Sequence, residues 1–327
     1  MGPHNVRAMK IYSNSRWSLD LPAGHRFPMP KYERLRERVE ARWPQWPVVE
    51  APPASDGELA LVHTPAYIAR VRDGTLSAAE QREIGFPWSP RMVERSRRSV
   101  GATIAAARAA LAEGVAVHLA GGTHHASADK GSGYCVFNDC AVAARLMQAE
   151  HARRRRDALR IWVIDLDVHQ GNGTAEIFQG DPTVHTLSLH GARNFPFRKV
   201  AGDVDVDLPD GTGDADYLAA LDAALLQSWA AQAQKGAPGL AFYLAGADPH
   251  EGDRLGRLKL SAEGLAERDR RVFAALQAWR VPVAVTMAGG YGHDIDVTVE
   301  LQVGTVGLAL AAWQGGSDRA AHAQTGP

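Results

Sequence analysis

The chain has 327 residues, 45% hydrophobic and 22% charged, the make-up of an ordinary globular protein. Its 36 Lys and Arg nearly balance 37 Asp and Glu, for a net charge of -1, which argues against nucleic acid or an anionic membrane as partner. Two cysteines, Cys135 and Cys140, are too few for a disulfide framework; with no signal-type start and no continuous apolar run of membrane-span length, the protein is expected to be cytoplasmic.

In chain order, residues 1–8 lack periodicity and are expected to be a disordered or foreign start, ahead of one domain over 9–316 and a tail over 317–327. Residues 31–42 follow a helical pattern, and the Pro-rich piece at 43–53 is too short for an interdomain linker. Ser89-Pro90 reads as an N-cap with proline at the first helical position, opening a helix that Gly114 stops. Apolar runs at 115–120, 161–164, 184–189, 240–245 and 281–287 then alternate with helical patterns at 139–152, 214–234, 261–279 and 296–312. The run Arg153 to Arg156, between a helix and a strand, reads as a solvated connector. Apolar runs too continuous for half-buried strands, alternating with helices, predict a single-domain α/β fold: a mostly parallel β-sheet flanked by helices on both faces.

Four of these strands end in chemistry-bearing residues. Gly121-Gly122-Thr123-His124-His125 follows one, and Asp165-Leu166-Asp167-Val168-His169-Gln170-Gly171-Asn172 follows the next. Gly246-Ala247-Asp248 and Ala288-Gly289-Gly290-Tyr291 follow two more. Open parallel sheets bind ligands beyond the carboxyl ends of their strands, so residues far apart in sequence should meet at that edge. Asp167 and His169, two apart, would face one side of an extended segment, and Asp248 would add a third donor. Such a site leaves a fourth position open for water; its O/N/O donor set suits zinc and admits Fe(II) or Co(II). The bland alternative, that Asp165 and Asp167 cap the next helix, explains neither the tandem histidines nor Asp248. A buried His needs a partner to fix its tautomer, and Asp165 and Asn172 are the candidates. An imidazole on the carboxylate would stay cationic; one on the neutral amide would stay free to accept a proton. The Tyr291 hydroxyl could donate to a developing oxyanion.

These segments resemble the histone deacetylase superfamily, with its arginase/deacetylase fold, and most of all its bacterial class IV-like members. The resemblance rests on GGTHHASADKGSGYCVFND (residues 121–139), DLDVHQGNGTAEIF (165–178), GADPHEGDRLG (246–256) and AGGYG (288–292), with HRFPMPKYERL (25–35) pointing to the class IV branch. It implies one catalytic zinc on Asp167, His169 and Asp248, with His124 and His125 backed by Asp165 and Asn172, and Tyr291 as transition-state donor. It also implies Gly133, Tyr134, Phe195 and Leu255 along a substrate channel. Potassium is implied near Asp165, Asp167, His169, Ser188 and Leu189, and a second ion near Phe178, Asp181 and Val184. Gln170 departs from the family's common second His without touching the ligand set, and Asn172 replaces an Asp found in several members, which favours His125 as general base. The implied reaction is hydrolysis of an Nε-acyl-lysine by metal-activated water. The rivals are deacylation of a small acylated amine such as an acetylpolyamine, for which only Glu251 offers an acidic gate; a ureohydrolase, for which Gln170 and Asn172 are the wrong residues; and a non-catalytic acyl-lysine-binding scaffold.

Overall fold

In the computed structural model, residues 8–324 are described, with side chains described through residue 316. The expectation for 1–8 therefore lies almost wholly outside the described residues. The first half of the chain carries β1 (Lys10–Ser13), α1 (Lys31–Arg42), β2 (Val48–Glu50), α2 (Asp56–Leu59), α3 (Pro65–Asp73), α4 (Ala78–Ile84), α5 (Pro90–Glu113), β3 (Val115–His118) and α6 (Asp139–Ala152). Then follow β4 (Ile161–Asp165), α7 (Asn172–Phe178), β5 (Val184–Gly191), β6 (Val204–Leu208), α8 (Asp214–Ala233), β7 (Leu240–Leu244), α9 (Ala262–Ala278), β8 (Val283–Thr286) and α10 (Ile295–Gln324). The tail expected from 317 onward instead continues α10 as far as Gln324.

Helix ends follow local chemistry. Ser89 accepts from the Met92 amide with Pro90 at the first turn, and Gly114 closes α5 at φ 92°. Asn138 caps α6 by accepting from Ala141.

The eight strands form one parallel sheet in the order β2-β1-β3-β8-β7-β4-β5-β6. On β4, Trp162 and Ile164 enter one core, with residues of α1, α8, α9 and α10, while Ile161 and Val163 enter the other, with residues of α3, α5 and α6. Strands covered on both faces therefore read as unbroken apolar runs, and each such side chain contributes about 1.5–3 kcal/mol through burial. Helix α10 holds a stretch long and apolar enough to cross a membrane, but half of it is buried inside the fold, where α10 packs on α1 and α9.

Register places the functional edge. His118 pairs with Thr286, Thr286 with Leu244, and Leu244 with Asp165. The four central strands thus finish in one row, and the loops that follow them emerge at one level.

Candidate active site

The strand-end segments converge as expected, with one local difference. Asp167 and His169 lie beyond the end of β4 in irregular backbone rather than on an extended strand. Their alignment comes from hydrogen bonds: Asp167 Oδ1 accepts from the His169 amide at 2.9 Å, and Asp165 Oδ1 accepts from the Asp167 amide at 3.2 Å. Asp167 Oδ2 accepts from Gly289 N at 2.6 Å, and Asp248 Oδ1 accepts from Val168 N at 2.9 Å, so the loops after β4, β7 and β8 are tied together through the carboxylates. Glycine is required at 289, where a Cβ would overlap the Asp248 carboxylate.

His169 Nδ1 faces both acids, 2.9 Å from Asp167 Oδ1 and 3.3 Å from Asp248 Oδ2. All three residues are buried, and one donor atom from each lies within 4.8 Å of the others. Asp248 Oδ2 is sealed from solvent, and among the described residues only the His169 imidazole faces it, too poorly aligned to satisfy it. A buried, unsatisfied carboxylate oxygen is costly unless a cation meets it. Burial first, and then the Asp167 carboxylate, push Asp248 up to about 7. Burial alone would lower His169, but hydrogen bonds and charge from Asp167 and Asp248 hold it up at about 10. The pocket is built to attract positive charge onto three converging donors, and the residues fit a four-coordinate zinc with a position to spare.

The tandem histidines occupy opposed environments. His124 Nδ1 meets Asp165 Oδ2 at 2.6 Å, and His125 Nδ1 meets Asn172 Oδ1 at 2.7 Å. Their rings are 4.1 Å apart. Burial would depress His124, yet the Asp165 and Asp167 carboxylates outweigh it and hold the imidazole at about 9. Burial together with the charges of His124 and His169 drives His125 well below the usual imidazole range. One ring is cationic and its neighbour neutral, the division of labour expected of an acid and a base.

Tyr291 lies 6.3 Å from His169, ring centre to ring centre. Its amide donates to Asp253 at 2.6 Å, and its carbonyl accepts from Arg254 Nε at 2.8 Å. Beneath it, the wholly buried Lys31 donates to the Gly290 carbonyl at 3.0 Å, with its ammonium 5.1 Å from the centre of the Tyr291 ring. Nothing in the sequence marked Lys31 as functional, because a lysine in the first turn of an amphipathic helix reads as solvated. Arg268, on α9, was missed for the same reason. It is buried, pairs with Asp269, and donates to the Leu166 and Gly246 carbonyls under both metal-facing loops.

A cleft of about 430 Å³ reaches this centre from the surface, lined by Gly133, Tyr134, Phe195, Leu255, His125 and Tyr291 among others. All four residues expected along a channel therefore border it. Its wall is set where the Gly133 and Tyr134 amides donate to the Glu83 and Ile84 carbonyls at 3.0 and 2.7 Å. Gly133 at φ 52° is packed so close that a Cβ would strike the His125 ring, and Tyr134 holds the left-handed conformation at φ 66°. A smaller cavity of about 70 Å³ shares His125, His169 and Tyr291 with the cleft, adds His124, and extends inward to Arg95.

The other expected groups fare differently. Asp165, at the end of β4, is in register with Ser188 within β5, and Ser188 Oγ lies 2.9 Å from His190 Nδ1. Around Phe178, Asp181 and Val184, the Asp181 carboxylate already meets Arg145 at 2.5 Å and Thr183, and the Arg145 guanidinium stacks over Phe178. Glu251 is exposed and is not among the residues that line the cleft.

Comparison with known proteins agrees with this geometry. The structure superposes on the crystal structure of the HDA15 HD domain with a TM-score of 0.74 at 22% identity, covering 94% of this chain and 93% of that one. The chain is 45% identical to an uncharacterized protein of Picosynechococcus sp. (strain PCC 7002), over 84% of this chain and 89% of the relative. It is 32% identical to histone deacetylase 2 of Arabidopsis thaliana and 31% identical to the polyamine deacetylase HDAC10 of Homo sapiens, over 75% and 83% of this chain. It spans only 63% and 43% of the length of these two. The family model of the histone deacetylase domain matches residues 25–302, a span that takes in all four strand-end segments. This chain belongs to the histone deacetylase family.

Proposed function

We propose that the protein is a zinc-dependent deacylase that hydrolyses Nε-acyl-lysine. The observation that carries this reading is the buried convergence of Asp167, His169 and Asp248, with Asp248 Oδ2 met by no donor but His169, next to cavities lined by neutral His125, cationic His124 and the Tyr291 phenol. When bound, zinc would lower the pKa of the attacking water and polarise the acyl carbonyl.

The chain's own residues supply the rest. Neutral His125 accepts the proton of the attacking water at Nε2, while Asn172 fixes its Nδ1 side. The Tyr291 hydroxyl donates to the carbonyl oxygen as it becomes an oxyanion. A protonated imidazole of the pair returns a proton to the leaving amine, so that one water and one amide become a carboxylate and an ammonium. His124, held on Asp165, keeps a positive charge beside this exchange. The Gly133 carbonyl accepts from the substrate amide, and Tyr134 and Phe195 flank the lysine methylenes. A potassium ion where β4 ends beside β5, by Asp165, Ser188 and Leu189, belongs to the same proposal; the Arg145–Asp181 pair supports no second ion.

Metal analysis together with turnover of an Nε-acetyl-lysine peptide tests the reading. One zinc per chain and chelator-sensitive hydrolysis are expected. Hydrolysis that persists with no bound metal would overturn it.

A further inference from the structure

The entrance of the cleft carries a charge pattern that the reaction does not use. Arg82 lines the cleft, and its exposed side chain makes no hydrogen bond or ion pair among the described residues. Arg254 is exposed and held in place by carbonyls only: Nε donates to Tyr291 and Nη2 to Arg26 at 3.0 Å. Arg26 is exposed too, and the charges of Arg26 and Arg254 both reach the Tyr134 phenol in the cleft wall. On the other side, Phe195 continues to Phe197, which is 87% exposed with its ring 6.3 Å from Phe195, and then to the exposed Arg198.

Most of the acids nearby are engaged; the exceptions are Glu83, which also lines the cleft and is exposed, and the exposed Glu251, which makes no ion pair among the described residues. Glu83 is loosely paired, 3.7 Å from Lys130, and Asp210 pairs with Arg193 and Arg257 at 3.1 Å each. Asp253 spends its oxygens on the Leu255, Gly256 and Tyr291 amides. In a chain with a net charge of -1, four arginines without carboxylate partners at one opening are a local feature, not a reflection of composition.

We propose that this rim selects acyl-lysines flanked by acidic residues, with Arg26, Arg82, Arg254 and Arg198 facing the flanking carboxylates and Phe197 propping the peptide. The inference rests on the deacylase reading and narrows its substrate class. A polyamine or a Lys/Arg-rich tail would bring further ammonium or guanidinium groups against these arginines, and like-charge approach is disfavoured.

The test compares three acetyl-lysine peptides of one length, flanked by Asp/Glu, by Ser/Gly or by Lys/Arg, on the zinc-loaded protein at low and high salt. The acidic peptide should exceed the basic one in kcat/KM by about tenfold at low salt, mostly through KM, and the gap should shrink as salt screens exposed charge. Arg82→Glu with Arg198→Glu should narrow or invert the ratio, and Arg82→Lys with Arg198→Lys should preserve it. Equal rates for acidic and basic peptides while the neutral peptide turns over would overturn the inference and leave the deacylase reading standing. A preference that survives charge reversal would overturn it as well. If no peptide, the neutral one included, is hydrolysed, the deacylase reading fails and takes this inference with it.

Discussion

Replacing Asp139 should damage catalysis from a position that touches no substrate. Asp139 is fully buried at the start of α6, and its carboxylate accepts four hydrogen bonds. Oδ1 takes the Thr123 amide at 2.8 Å and the Thr123 hydroxyl at 2.7 Å. Oδ2 takes the Gly122 amide at 3.0 Å and the Thr103 hydroxyl at 2.6 Å. Its neighbour Asn138 holds the far side of the same loop by donating to the Ala126 carbonyl at 3.1 Å, so the two residues clamp His124 and His125 between them. Asp139→Ala leaves two backbone amides buried without an acceptor, at about 1–3 kcal/mol each, so a loss of roughly 3–5 kcal/mol in unfolding free energy is expected. Asp139→Asn keeps the Thr123 acceptor but turns an amide N–H toward the Gly122 N–H, and should fall between wild type and alanine. If the carboxylate also sets the loop, displacement of the imidazoles by about an ångström should lower kcat by up to about 10²-fold with little change in KM. Denaturant unfolding and steady-state kinetics on one acetyl-lysine peptide read both quantities. An alanine variant that unfolds within about 1 kcal/mol of wild type would refute the energetic argument. One that is destabilised yet keeps its kcat would refute the positioning.

The other expectations are more direct. Tyr291→Phe removes a hydroxyl that makes no hydrogen bond among the described residues, so stability should hold while kcat on the acetyl-lysine peptide falls about 10²–10³-fold; unchanged turnover would exclude the phenol as donor. Asp248→Asn should abolish stoichiometric zinc, and a variant that still holds one tightly bound zinc would remove Asp248 from the donor set. His169 without metal is held up at about 10, so the cation displaces a proton from it. Zinc affinity should therefore rise with pH by roughly tenfold per unit for each proton displaced, and a pH-independent affinity between 6 and 9 would contradict this. In Asp165→Asn, His124 loses the carboxylate that most offsets its burial, so its pKa falls from about 9 and any alkaline limb of kcat that reports it should move to lower pH.

The sequence was most informative where each residue carries its own chemistry. Asp167, His169 and Asp248 are legible because carboxylate, imidazole and carboxylate at strand ends have few other uses, and the parallel sheet that unites them is written in the unbroken apolar runs of 161–164 and 240–245. Strands toward the sheet edges were not legible: β1, β2 and β6 are part-exposed and lack the unbroken apolar run that marks the equally short central strands. The supports of the site were hidden for a different reason. Lys31, Asp139 and Arg268 are charged residues on helices, where the default expectation is a solvated face, and only tertiary packing buries them. Lys31 shows how far this goes, since its ammonium is sealed under Phe27, Tyr32 and Tyr291 and makes its hydrogen bond to the Gly290 carbonyl. Lys31→Met keeps the apolar stem and removes the donor, releasing the turn that aims Tyr291. If the lysine aims the phenol, kcat should fall in Lys31→Met but no further in the double variant with Tyr291→Phe, because the group being aimed is then gone. Losses that multiply in the double variant would mean that Lys31 acts independently of Tyr291.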